Sequence, residues 1–380
     1  MKKIILGIET SCDETGVALV EASGGLRWTK FKVLKNLVAS QIKIHEPFGG
    51  VVPNLAKREH LKNLPILWKR CQVSGVRCQD IDLIAVTVGP GLEPALWTGI
   101  SFAKQIISNF QFPISKLVGT NHLEGHLYSF LLPRKTRSKF EDRRSKIFPA
   151  IALIVSGGHT VLLLMKDLKT WKKLGETRDD AVGEAFDKVA RLLKLPYPGG
   201  PALEKLARLG NPAAIEFPRP MIHDKNFDFS FSGLKTSVLY FLREYPLGSH
   251  LETSPLLKIT NADIAASFQK AAIEVLVKKT MRAALEFGAK SVMLSGGVAA
   301  NKKLRSDMRQ AIRKLNSDMR HRTSKLKRNM GYVKSNGRVN FLVAEQKYNT
   351  DNAVMIAAAG YMAYLRKKKY PLRANGNLDI

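Results

Sequence analysis

"FPAIALIVSGGHTVLLLMK", residues 148–166, is a pair of strand-length apolar runs joined at Ser156-Gly157-Gly158. That pattern predicts a hairpin of two buried strands. Residues 290–305, "KSVMLSGGVAANKKLR", repeat the strand-to-glycine theme and then lead into a helix. The echo of "LIVSGG" (153–158) in "VMLSGG" (292–297) suggests a duplication, with two related lobes facing a cleft.

The same grammar extends outward. Residues 4–21, "IILGIETSCDETGVALVE", read as strand, tight polar turn and strand, with Asp13 and Glu14 in the turn. Residues 80–107 give a buried strand near 83–88, the turn Gly89-Pro90-Gly91 and then a helix. Residues 260–288 form a long amphipathic helix, with Thr260 and Asp263 at capping-box spacing and Gly288 at the stop. Strands alternating with helices make the chain α/β.

Hydrophobic residues are 45% of the 380, which excludes the disordered class. No apolar run approaches the ~18 residues of a membrane span, and Asp13 and Glu14 come too early for a signal peptide. Three cysteines without CxxC spacing fit a reducing compartment, so the cytoplasm is expected. Lysine and arginine total 61 against 32 acidic residues, a formal charge of +29. Residues 134–146 carry seven basic and two acidic side chains, and residues 302–338 thirteen and two. Clustering on that scale favours a polyanionic partner. With two glycines and little apolar periodicity, 316–338 is expected to be an inserted loop.

Four glycine turns, at 89–91, 157–158, 199–200 and 296–297, could bring backbone N–H groups to a phosphate, although none matches a P-loop or dinucleotide fingerprint. In "TNHLEGHLYS" (120–129), His122 and His126 would share a helix face. A zinc protease needs glutamate directly after the first histidine, and Leu123 stands there; Glu124 points off the shared face. Alone, such a pair is more often incidental than a metal site. Asp351, ahead of a small-residue helix, could be a third ligand.

Together, "GIETSCDETGVAL" (7–19), "GGVVPNLAKREH" (49–60), "GPGLEPAL" (89–96), "NHLEGH" (121–126), "LIVSGGHT" (153–160), "DDAVGEAFDKVARLL" (179–193), "YPGGPALE" (197–204), "FDFSFSGLKT" (227–236), "LSGGVAANKKLR" (294–305) and "TDNAVMIA" (350–357) resemble the TsaD family of tRNA threonylcarbamoyltransferases. The resemblance implies the actin/sugar-kinase/heat-shock ATPase superfold: two ribonuclease-H-like lobes around a cleft. The first lobe would be 1–125, completed by a helix in 351–380. The second would be 126–350, carrying the basic insertions 134–146 and 316–338.

The implied reaction moves threonylcarbamoyl from threonylcarbamoyl-AMP to N6 of adenosine 37, in tRNAs reading codons that begin with A. The product is threonylcarbamoyladenosine (t6A), and AMP is released. The resemblance makes His122, His126 and Asp351 ligands of one divalent ion per subunit, Fe2+ or Zn2+. It assigns the adenylate to Ile154, Val155, Ser156, Gly157, Gly158, Asp187, Gly200 and Asn301. Asp13 and Glu14 would orient the attacking amine or take its proton. Bacterial members work with TsaB and TsaE, and TsaC supplies the adenylate; mitochondrial members are homodimers. Asn349 stands where the family usually has cysteine. The rival readings are a metalloendopeptidase, a non-catalytic scaffold of the same fold and a sugar or small-molecule kinase on the same superfold, in which the histidine pair has no role.

Overall fold

The computed structural model describes residues 2–26, 28–72, 75–133, 147–245, 259–330 and 338–380, the side chains of 320–330 excepted. The expected insertion 134–146 lies outside the described residues. Two compact units result: Met1–Ser145 with Val343–Ile380, and Lys146–Leu342. The expected division at residue 125 would cut through helix α4 (His122–Tyr128), whereas the observed division keeps that helix whole within the first unit.

In chain order the first unit contains β1 (Lys2–Glu9), β2 (Glu14–Gly25), β3 (Trp28–Ser40), α1 (Ile42–His45) and α2 (Pro53–Gln72). Then come β4 (Ile81–Gly89), α3 (Glu93–Asn109), β5 (Leu117–Asn121) and α4, and after the second unit α10 (Ala353–Arg366). Its sheet runs β3-β2-β1-β4-β5. The first three strands form an antiparallel meander, and β4 and β5 join it in parallel.

Alternation along the strands divides the two faces. Leu6, Ile8, Val17, Leu19, Ile84 and Val86 point into a core that includes Leu64 and Leu67 of α2 and Leu96 and Ile100 of α3. On the other face Ala18, Gly7 and Ala85 form a row across three strands, and α10 lies on it. A Cβ at Gly7 would stand 2.1 Å from the Ala353 carbonyl oxygen, so only glycine admits the helix at this distance. Ala353 through Ala363 are buried, which explains the run of small residues in α10.

The second unit contains β6 (Ala150–Val155), β7 (Thr160–Met165), β8 (Trp171–Glu176), α5 (Val182–Leu192), α6 (Gly199–Ala207) and α7 (Ser232–Glu244). It continues with α8 (Asn261–Glu286), β9 (Ser291–Ser295), α9 (Lys302–Met330) and β10 (Asn340–Val343). Its sheet runs β10-β9-β6-β7-β8, the first unit's strand order read from the other edge. The two ribonuclease-H-like lobes are therefore present.

The duplication is not where the glycine echo put it. "LIVSGG" and "VMLSGG" are the ends of β6 and β9, parallel neighbours in one sheet, with Leu153 opposite Leu294. The echo arises because both strands run into Ser-Gly-Gly; it does not pair one unit with the other. Gly296, at φ +91°, is required there because a Cβ would lie 2.2 Å from the Val155 carbonyl oxygen. The capping box predicted for α8 forms between Thr260 and Asp263. The loop expected over 316–338 is helix as far as Met330. Leu304, Met308, Ile312 and Leu315 bury one face of α9, and the lysines and arginines that follow are good helix formers, so nothing stops the helix. Among the described residues no helix is long and apolar enough to cross a membrane.

Candidate metal centre

Helix α4 starts where β5 ends. Asn121 caps it, Oδ1 accepting from the N–H groups of Leu123 (2.8 Å) and Glu124 (3.2 Å). The cap sets the register that places His122 and His126 on one face, rings edge-to-face with centroids 4.7 Å apart. Asp351 comes from the turn before α10, whose own cap is Asn352. Asp351 Oδ1 stands 3.4 Å from His122 Nε2 and 3.1 Å from His126 Nε2. Ligand atoms ~2.1 Å from one divalent ion lie roughly 3.0–3.5 Å from each other; both carboxylate-to-imidazole distances meet that range, and all three ligand atoms lie within 4.8 Å of one another. His126 is fully buried, and the Asp351 carboxylate is the near polar group at its Nε2; a divalent cation held between the two would take the lone pair of that nitrogen. Two imidazoles and a carboxylate suit zinc or iron.

Glu9, at the end of β1, stands behind the pair. Its Oε2 accepts from His122 Nδ1 (3.1 Å) and from Thr87 Oγ1 (2.8 Å), and its Oε1 from the Ser11 N–H (2.5 Å). A proton on Nδ1 leaves Nε2 free to ligate. Burial opposes charge on His122, but Asp351 and Glu9 together raise its pKa well above the ordinary histidine value. Burial pushes His126 down. Burial opposes charge on Asp351 too, yet the two imidazoles hold it far below the usual carboxylate range. The sequence reading missed Glu9; its one signal is a charged residue closing an apolar strand.

Asp13 sits in the turn between β1 and β2, as expected, whereas Glu14 is already the first residue of β2, opposite Ser40 of β3. The turn is anchored by Gln41 N–H on the Asp13 carbonyl (2.9 Å) and by His60, which bonds Thr15 Oγ1 (2.8 Å) and the Cys12 carbonyl (2.9 Å). Burial, then the Asp13 and Asp351 carboxylates, push Glu14 well above the ordinary carboxyl pKa. Glu14 and the candidate ligand Asp351 therefore belong to one electrostatic neighbourhood of the first unit.

The remaining residues singled out lie in the second unit. Ile154 and Val155 end β6, and Ser156 accepts the Gly183 N–H at the start of α5 through its carbonyl (3.2 Å). Gly157 and Gly158 are exposed, with open space where side chains would stand. Asp187 Oδ1 accepts the Gly200 N–H (3.0 Å). Asn301, expected to read a nucleoside, caps α9 by accepting the Leu304 N–H (2.9 Å) and donates to Gln269 Oε1 (2.9 Å).

Glu124 does point away from the histidine face. It is fully buried and accepts from Lys368 Nζ (2.9 Å) and Tyr370 Oη (2.7 Å). Glu124 is therefore not placed as a peptidase base beside the pair.

Comparison with known proteins identifies the family. The family described as TsaD, tRNA N6-adenosine threonylcarbamoyltransferase, matches residues 32–358. A protein of that name from Moorella thermoacetica is 43% identical over 99% of this chain and 96% of its own. One from Thermosipho africanus is 43% identical over 99% and 100%. The fold also resembles HypF of T. kodakarensis (TM-score 0.55, 16% identity, 97% of this chain and 48% of that one) and a full-length HypF in phosphate- and nucleotide-bound form (0.51, 12%, 98% and 56%). The chain spans about half the length of those two, and their likeness concerns the fold alone. On the extent of its sequence match, the chain belongs to the TsaD family of tRNA N6-adenosine threonylcarbamoyltransferases and is a transferase.

Proposed function

We propose that this chain transfers the threonylcarbamoyl group of threonylcarbamoyl-AMP to N6 of adenosine 37 in tRNAs that read codons beginning with A, forming t6A and releasing AMP. The observation that carries this reading is the meeting of His122, His126 and Asp351 in a chain with the family's full set of segments. N6 attacks the carbamoyl carbon, the new C–N bond forms, and the C–O bond to the adenylate phosphate breaks. AMP leaves as the anion, and the N6 proton passes to a carboxylate.

His122, His126 and Asp351 hold one divalent ion, Fe2+ or Zn2+, which when bound supplies Lewis-acid polarisation of substrate oxygens. Glu14 is the proton acceptor we favour, because burial and the Asp13 and Asp351 carboxylates beside it raise its affinity for a proton. Asp13 orients the amine. The exposed backbone at Gly157 and Gly158 suits a phosphate, and Asp187, with Gly200, suits ribose hydroxyls. Asn301 contributes at the base or ribose while it holds the start of α9. An adenine amine is a weak nucleophile, so positioning supplies most of the acceleration.

The basic clusters at 134–146 and 302–338 are read as contacts to tRNA phosphates. The partners on this reading are TsaB and TsaE, with TsaC making the adenylate, in the cytoplasm; a homodimer is the alternative assembly. A scaffold without catalysis has no use for an intact ligand triad, and where the peptidase reading needs glutamate directly after the first histidine this chain has Leu123.

The test is transfer of labelled threonine to unmodified tRNA in the presence of the adenylate-forming enzyme and both partners, wild type beside His122→Ala and Asp351→Ala. Label with wild type alone supports both reaction and triad. No label with any of the three overturns the reading.

A further inference from the structure

Helix α4 has seven residues, too few to be stable by itself, so its rotation about its own axis is set by what grips it. One grip is on the ligand face, through Asp351. The other is on the far side, at Glu124, two residues from each ligand. The Glu124 carboxylate is fully buried, and its Oε1 accepts from Arg366 Nη1 (3.3 Å), Lys368 Nζ (2.9 Å) and Tyr370 Oη (2.7 Å). Arg366 also donates to Tyr128 Oη (3.0 Å), at the end of α4.

These partners all come from the last residues of α10 and the segment after it. Asp351 lies just before Asn352, the cap of that same helix. Between the two ends, α10 packs on Gly125, where a Cβ would stand 3.1 Å from Ile356 Cδ1 and Met355 Cγ. The chain's last residues return to the start of α4. The Asn375 N–H donates to the Val88 carbonyl (2.8 Å), and Asn121 Nδ2 donates to the Asp379 carbonyl (2.9 Å). Asn121 is the cap that sets the register of His122. One continuous segment, 351–380, thus supplies the third ligand, the anchor behind the histidines and a hold on their cap.

We propose that Glu124 is a positioning residue for the metal: gripped by Arg366, Lys368 and Tyr370, it fixes the rotation of α4 so that His122 and His126 meet Asp351. The proposal rests on reading those three as metal ligands. Glu124 touches neither ion nor substrate; it acts through the helix. The C-terminal segment then controls metal affinity from outside the site.

The test is Co2+ binding to the full chain, by competition with a chelator and by the visible spectrum of the bound ion, for wild type, Glu124→Gln, Tyr370→Phe and His122→Ala. Glu124→Gln is expected to lose about tenfold or more in affinity, with an altered spectrum, while its circular dichroism stays that of wild type. Tyr370→Phe, which removes one donor and keeps the packing, should show a smaller shift in the same direction; it decides the matter if Glu124→Gln fails to fold. Wild-type affinity and spectrum in both variants would overturn this inference and leave the triad intact. A wild type that takes up no Co2+ would overturn the metal reading, and this one with it.

Discussion

Glu9 Oε2 lies 3.1 Å from His122 Nδ1 and 2.8 Å from Thr87 Oγ1, so a carboxylate buried at the end of β1 orients the first histidine of α4. Replacing it with glutamine keeps the shape and removes the charge. Glu9→Gln is expected to weaken metal binding by ~10–100-fold, the usual cost of losing such an outer partner. Competition with a chelator measures it, and affinity within twofold of wild type would refute the role.

The approach of α10 to β1 depends on Gly7. Gly7→Ala places a methyl 2.1 Å from the Ala353 carbonyl oxygen. The strain should cost about 1–3 kcal/mol, read as a lower urea midpoint. Because Ala353 follows Asp351 by two residues, the same change should also weaken metal binding.

Thr260→Ala removes one half of the capping box of α8. A loss of ~1 kcal/mol is expected. Thr260→Ser, which keeps the hydroxyl, should recover most of it in the same denaturation experiment.

Lys279, on α8, is buried and bonded to the backbone carbonyls of Asn226 and Asp228. Burial lowers its pKa to about 8, below the ordinary lysine value of ~10.4. Between those values the unfolded chain holds the proton and the native chain does not, so this group makes stability rise with pH across that window. Urea midpoints at pH 7.5, 9 and 10 should show the rise in wild type, and Lys279→Met should lack it.

If the basic clusters bind phosphates, deleting 134–146 should flatten the dependence of tRNA affinity on salt. The slope of log K against log salt should fall by ~0.7–0.9 for each phosphate no longer neutralised. An unchanged slope would mean that the cluster faces solvent.

Much of this molecule could be read along the chain because its signals are local. A capping box lies within four residues, and a strand announces itself by a short apolar run. His122 and His126 share a helix face at any i, i+4 spacing, and the motif set pointed to the family. The boundary of a helix rich in lysine and arginine was less legible, since residues 316–330 have helical propensity but little periodicity, and α9 absorbed them.

What tertiary structure alone decided is which distant residues meet. The glycine echo looked like two lobes and proved to be two neighbouring strands, since a strand's sequence records its burial and not its partner. Glu9 joined His122 across 113 positions, and Glu124 joined Lys368 and Tyr370 across more than 240. Nothing near a buried carboxylate in sequence says which cation or imidazole compensates its desolvation. That partner is supplied by packing, and here it made one glutamate a support for the metal site and the other an anchor for the end of the chain.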